Sequence, residues 1–138
     1  ASERFTGFRE AFEQAEGRYR LVELADFPDT AGIQTAVLDS IQSTDAYYCF
    51  SDNAALKAMQ TIQQQGRRIP EEVGVVGTDN LYWSEFFYPA LTTMDLHEDL
   101  FAERIIRDIL RVRSGADLEP VCTRIPVSLI RRRSTQRT

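Results

Sequence analysis

An α/β fold built on a parallel sheet is what this chain predicts, and three observations carry the prediction. Helix-like and strand-like stretches alternate along the first half, the strand-like runs are short and apolar, and Asp, Asn, Ser or Thr follows directly on several of them. Alternation of this kind implies parallel strands joined by right-handed crossovers, with helices covering the sheet. Apolar runs without polar alternation are what strands covered on both faces require.

Each element has a local reason. Phe5, Phe8, Phe12 and Ala15 recur at spacings of three and four, which puts them on one face of a helix that Gly17 ends. Leu21 to Ala25 reads as a short strand, and Asp26-Phe27-Pro28-Asp29 as a loop. Thr30 is the expected N-cap of a second helix carrying Ile33, Val37 and Ile41. Ala46 to Phe50 reads as a buried strand. Ser51-Asp52-Asn53 supplies cap-type residues for a helix from Ala54 to Gln65, with Ala55, Met59 and Ile62 facing inward and Gly66 at its end. Val73 to Gly77 has the apolar character of a central parallel strand.

The segment from Thr78 to Pro89 holds Tyr82, Trp83, Phe86, Phe87 and Tyr88, too aromatic for an ordinary solvated loop. Leu91 to Leu96 follows as a strand and His97 to Val112 as a long amphipathic helix with Phe101, Ile105 and Ile109. Val121 to Ile130 is expected as a last strand. Pro126 lacks a ladder donor, which places that strand at an edge or bends it there.

Composition narrows the function classes. The 138 residues suit one domain and are too few for two lobes enclosing a ligand. With 43% hydrophobic and 27% charged residues the chain is expected to fold. The net charge of -5 argues against a broad phosphate-gripping surface, since such binding is driven by clustered Lys and Arg. Lys57 is the only Lys, and the one dense basic run, Arg131-Arg132-Arg133, reads as a solvated tail. Cys49 and Cys122 lie in apolar stretches and read as two buried thiols in a reducing, cytoplasmic compartment. No apolar run approaches the roughly 18 residues that span a bilayer, so no membrane partner is expected.

No nucleophile elbow, Gly-rich phosphate loop or Cys/His metal spacing is present. The single histidine, His97, reads as a surface or capping residue rather than a catalytic base. The expectation is therefore that the chain is not an enzyme, with no cofactor and no metal. Ligands of parallel α/β sheets bind at the carboxyl ends of the strands. The residues there are Asp26 and Phe27, then Ser51, Asp52 and Asn53, then Thr78, Asp79 and Asn80. Together they form a reasonable site for a small polar ligand. Each also has a plainer explanation: Asp52 as a helix cap, Phe27 as core, Asp79 as a turn former.

Three segments taken in order resemble one family. Arg4-Phe5-Thr6-Gly7-Phe8 resembles the R-x-x-G-F opening of a helix in the lactose/galactose repressor family. The stretch from Phe50 to Met59, followed by Gly66 to Asn80, is similar to that family's most characteristic region. Pro89-Ala90-Leu91-Thr92-Thr93 and the run from Ile125 to Thr135 complete the match. Where Phe or Tyr commonly precedes Asp79, this chain has Thr78.

The resemblance implies a Rossmann-like, parallel-sheet lobe of a periplasmic-binding-protein-like (type I) effector domain. Residues 1–138 would be the C-terminal part of that domain, with the C-terminal lobe at about 1–91 and 115–138. Helix 97–112 would pack on an N-terminal lobe lying outside this sequence, as would a helix-turn-helix DNA-binding domain. The implied function is ligand sensing and dimerisation in a bacterial transcription regulator, with a small effector, read as a sugar, controlling operator binding. The alternative is a periplasmic sugar-binding receptor of a transporter. The partners implied are the effector, a second copy in a homodimer, and operator DNA. By position the resemblance assigns effector contacts to Arg4, Phe27 and Asp52, with Asn53 and Trp83 beside them. An arginine fork, an aromatic face and a carboxylate suit the hydroxyls and C–H faces of a sugar or a nucleobase.

Overall fold

The computed structural model describes residues 3–15, 18, 21, 30–115 and 123–137. Most of the strand expected at 21–25, together with Asp26, Phe27 and Cys122, lies outside the described residues. The elements are α1 (Glu3–Gln14), α2 (Thr30–Ser40), β1 (Ala46–Tyr48), α3 (Asp52–Gln64), β2 (Gly74–Thr78), a 3-10 turn (Tyr82–Phe86), β3 (Thr92–Asp95), α4 (Glu98–Arg113), β4 (Ser128–Ile130) and a closing 3-10 turn (Arg133–Thr135).

The described strands form one sheet in the order β1-β2-β3-β4. β1 pairs with β2 in parallel from Ala46↔Gly74 to Tyr48↔Val76, and β2 with β3 in parallel from Val76↔Thr92 to Thr78↔Met94. β4 closes the edge antiparallel to β3, with Thr93 opposite Ile130. The parallel alternation expected of the first half is therefore present in β1, β2 and β3.

Helix α3 is the element that organises the core. Ser51 sits at its N-cap in an extended conformation and accepts the Ala54 N–H at 3.2 Å, which satisfies one of the first-turn donors that no intrahelical carbonyl can reach. Ala55, Ala58, Met59 and Ile62 recur on one face and share a core cluster with Val37 of α2, Ile41 just after it, Val73 and Val75 around β2, and Leu91 just before β3. Burying each of the larger side chains in this set contributes about 1.5–3 kcal/mol. The alanines let α2 approach α3 closely. Gly66, at a φ of +75°, ends the helix in the left-handed conformation that a side chain disfavours. On α1 the aromatic stripe is real: Phe8 stacks on Phe12 at 4.9 Å and on Tyr48 of β1 at 5.3 Å between ring centroids.

Four expectations need correction. β1 is not a buried strand, because among the described residues it has a strand neighbour on one side only, and Tyr48 and Phe50 stay 38% and 52% exposed. The last strand is confined to Ser128–Ile130, the three residues that register with β3, and 123–127 make no ladder. The basic run is not simply a solvated tail. Arg131 and Arg133 are exposed, but Arg132 is half-buried and Ser134 fully buried. His97 occupies the N-cap of α4 without capping it through its side chain.

α4, like the described part of α1, has no buried residue. Its apolar residues Phe101, Ile105, Ile106 and Ile109 are all exposed, an arrangement costly for an amphipathic helix unless something covers it.

Candidate functional site

At the carboxyl ends of the neighbouring parallel strands β1 and β2, two clusters of polar residues follow. After β1 come Ser51, Asp52 and Asn53; after β2 come Asp79 and Asn80. Asp79 (φ 110°) and Asn80 (φ 50°) both lie in the left-handed region that non-glycine residues disfavour. Such a turn persists only when its surroundings hold it, and the hydrogen bonds show what does.

Asp52 is the centre of that hold. Its side chain is fully buried and points into the lobe. Oδ2 accepts the Leu81 N–H at 2.9 Å and the Ser84 hydroxyl at 2.5 Å, and Oδ1 accepts the Thr93 hydroxyl at 2.6 Å. Thr93 in turn accepts the Asn80 N–H at 3.2 Å. Gly77 makes room for the carboxylate: a Cβ there would collide with Asp52 Oδ1 and come within 2.9 Å of Leu91 Cδ2.

A second polar chain runs from the turn to the start of α4. Asn80 donates through Nδ2 to Asp95 Oδ2 at 3.0 Å, and Asp95 Oδ1 accepts the His97 N–H at 2.8 Å. That backbone hydrogen bond, helped by the Asn80 amide and the His97 ring, holds the Asp95 carboxyl below its usual pKa. His97 Nε2 lies 2.9 Å from the Ser128 hydroxyl of β4. Arg132 completes the chain, donating to the Leu91 carbonyl and to Asn80 Oδ1, each at 2.9 Å.

Thr78, in the place where the resemblance expects an aromatic residue, is fully buried and donates to the Cys49 carbonyl at 3.0 Å, with the Tyr48 hydroxyl 3.4 Å away. The Cys49 thiol is pushed up to about 12, first by burial and then by the nearby Asp52 carboxylate, so it is a poor nucleophile. Among the described residues no group of His, Cys, Asp and Glu could hold a metal ion.

The expected site residues are distributed as follows. Arg4 belongs to α1, but its side chain lies outside the described residues, and Phe27 lies outside them altogether. Asn53 is exposed in the first turn of α3. Trp83 is 38% exposed in the 3-10 turn, edge-on to Tyr82 at 5.1 Å. Asp52 shares this turn's hydrogen bonds, yet its two oxygens face Leu81, Ser84 and Thr93 rather than solvent. Reasoning from the sequence missed Asp95 and Arg132 as members of the same network. The only available signal was the Ile125 to Thr135 match itself, since a run of three arginines beside a terminus carries no local mark of burial.

Comparison with known proteins accounts for this architecture. Residues 1–135 match the model of the periplasmic binding protein-like domain. The HTH-type transcriptional regulator CelR of Thermobifida fusca is 32% identical over 123 residues, covering 86% of this chain and 36% of that protein. The HTH-type transcriptional repressor PurR of Vibrio cholerae is 41% identical over 98 residues, covering 67% of this chain and 29% of the repressor. Among solved structures, a CelR–cellobiose complex matches with a TM-score of 0.84 at 31% identity, over 96% of this chain and 42% of its own. A LacI-type regulator of Bifidobacterium animalis matches with a TM-score of 0.85 at 27% identity, over 96% and 49%. This chain thus spans about a third of its curated relatives and about half of the solved structures. With a matching domain model along nearly its whole length and relatives that are regulators of the lactose-repressor type, the chain belongs to the family of periplasmic binding protein-like domains found in those regulators.

Proposed function

We propose that this chain is the C-terminal part of the ligand-sensing domain of a DNA-binding transcription regulator, with a sugar as effector. The observation that carries the reading is the superposition of 96% of the chain on sugar-bound regulators while it covers only half of each. One of these holds cellobiose and another, from Alkaliphilus metalliredigens at 26% identity and a TM-score of 0.83, holds D-xylulofuranose. Regulator names among the relatives favour this reading over a transporter's periplasmic receptor. Relatives that are regulators also support the absence of catalysis.

In this reading residues 1–91 and 115–138 form one wall of a cleft, and the rest of the polypeptide supplies the other wall, the cover for α4 and the helix-turn-helix. Arg4, Phe27, Asn53 and Trp83 are the proposed contacts to the effector, served from inside the lobe by Asp52. Sugar hydroxyls need donors and acceptors held in fixed positions, and the hydrogen-bonded turn from Asp79 to Ser84 offers such a frame. The effector changes the angle between lobes, and a homodimer passes that change to two DNA-reading heads, a coupling typically worth about 1–3 kcal/mol. Such a regulator works in the cytoplasm; among the described residues no helix is long and apolar enough to cross a membrane.

The test is a thermal-shift screen of the full-length protein against cellobiose and a panel of mono- and disaccharides, followed by gel-shift titration of promoter DNA with the sugar that binds. The expected outcome is a raised melting temperature with at least one sugar and a changed DNA affinity in its presence. No response to any sugar, with DNA binding intact, would remove the sugar assignment.

A further inference from the structure

The Asp52 carboxylate, which the family resemblance assigns to the effector, is also engaged inside the protein, and that placement gives it a further task. Asp52 stands in the first turn of α3 with three hydrogen-bond donors around it, from Leu81, Ser84 and Thr93. All three are neutral groups, so the side chain makes no ion pair with any of them. The donors are not scattered. Leu81 and Ser84 bracket Tyr82 and Trp83, and Thr93 relays to Asn80. One buried group therefore grips the turn between β2 and β3 at three points, directly at Leu81 and Ser84 and through a single hydroxyl at Asn80.

The turn needs this grip. Asp79 and Asn80 adopt consecutive left-handed conformations, which the backbone of a non-glycine residue does not hold unaided. The 3-10 turn that follows buries only Ser84, leaving Tyr82 and Phe86 at 76% and 70% exposure. Side-chain packing from the turn itself is thus a small contribution, and the polar anchor is the larger one. Ser84 does double duty, because its carbonyl also accepts the Leu91 N–H at 2.9 Å and so ties the turn to the start of β3.

We infer that Asp52 is a positioning residue: its carboxylate sets the Asn80–Ser84 turn and with it Trp83. The effector-site reading above supplies its consequence, since a mispositioned Trp83 and Asn80 would blunt selection among sugars; the geometry stands without that reading.

Trp83 is the only tryptophan of the 138-residue chain, so its fluorescence reports the turn directly. In the 138-residue chain, Asp52→Asn replaces one acceptor oxygen with a donor facing the Leu81 N–H. Expected are a red-shifted Trp83 emission and stronger acrylamide quenching, under conditions where far-ultraviolet circular dichroism shows the helices intact. Ser84→Ala removes one bond to the carboxylate and is expected to move both signals in the same direction, by less. Val37→Ala, a core truncation in α2, should lower the melting temperature and leave Trp83 unmoved, which separates positioning from general loss of stability. If Asp52→Asn does not fold, Ser84→Ala and Thr93→Val carry the test. Unchanged Trp83 emission and quenching in the folded variants would overturn the inference, as would an equal response to Val37→Ala. The readout uses no effector, so an unmoved Trp83 leaves the effector-site reading intact, and a failed sugar screen leaves this inference intact.

Discussion

The guanidinium of Arg132 and the side-chain amide of Asn80, 52 positions apart in the chain, are joined by a hydrogen bond of 2.9 Å. A second donor of the same guanidinium holds the Leu91 carbonyl, and the Arg132 N–H reaches the Thr92 hydroxyl at 2.8 Å. The C-terminal segment is thereby stitched to the turn after β2, and Asn80 becomes the link between that segment and Asp95 at the end of β3.

Replacing Arg132 with Ala should therefore destabilise the chain by about 2 kcal/mol. Hydrogen bonds from charged groups contribute about 1.5–3 kcal/mol each, and half-burial reduces that figure. Arg131→Ala and Arg133→Ala, at exposed positions, should stay within about 0.5 kcal/mol. Urea denaturation compares the three, and equal midpoints would show that the Arg132 contacts add nothing.

Gly77→Ala tests the space around Asp52. The added methyl meets Asp52 Oδ1 and Leu91 Cδ2, both fully buried, and overpacking of this kind costs about 1–3 kcal/mol. Gly74→Ala, whose nearest neighbour would stand at 3.7 Å, is the control. A melting temperature as high in Gly77→Ala as in Gly74→Ala would show that the core yields more than the packing implies.

Asp95 should make stability depend on acid pH. Its folded pKa lies below the usual carboxylate value because the His97 N–H, the Asn80 amide and the His97 ring favour the ionised form. The contribution is therefore complete above the unfolded pKa of about 3.9. It is lost as the pH falls through the lowered folded value. Asp95→Asn should thus differ most from the parent chain at pH 5 to 7 and converge with it toward about pH 2. Melting curves across that range check the sign; a gap that widens on acidification would refute it.

The apolar face of α4 gives a prediction that separates this chain from a longer one. Ile105→Glu and Ile109→Glu change side chains that are 44% and 54% exposed, so in the 138-residue chain they should leave the melting temperature nearly unchanged. In a longer chain where a second lobe covers α4, each should cost about 2–3 kcal/mol, the burial energy of an isoleucine. Loss of that difference would mean that α4 remains uncovered in the longer protein.

How much was legible beforehand follows from the range of the forces involved. Helix α3 and a cap among Ser51, Asp52 and Asn53 could be read because capping and 3.6-residue periodicity are set within a few neighbours, although the cap proved to be Ser51 and Asp52 the first helical residue. β2 could be read because a strand covered on both faces must be apolar throughout. The Asp52 cluster could be placed at a strand end, but not oriented. Whether a carboxylate at a helix start turns outward to a ligand or inward depends on Thr93, 41 positions away, and on the missing side chain of Gly77.

The sequence by itself determined the alternation of helix and strand, the polar character of the strand ends and the family motifs, since each is a local pattern of residue types. Tertiary structure alone decided that Asp52 is a hub inside the lobe, that Arg132 is a clamp and that β1 has so exposed a surface. Those outcomes depend on which distant groups meet in space. A buried donor or acceptor must find a partner wherever the fold brings one, and no window of sequence contains both halves of such a pair.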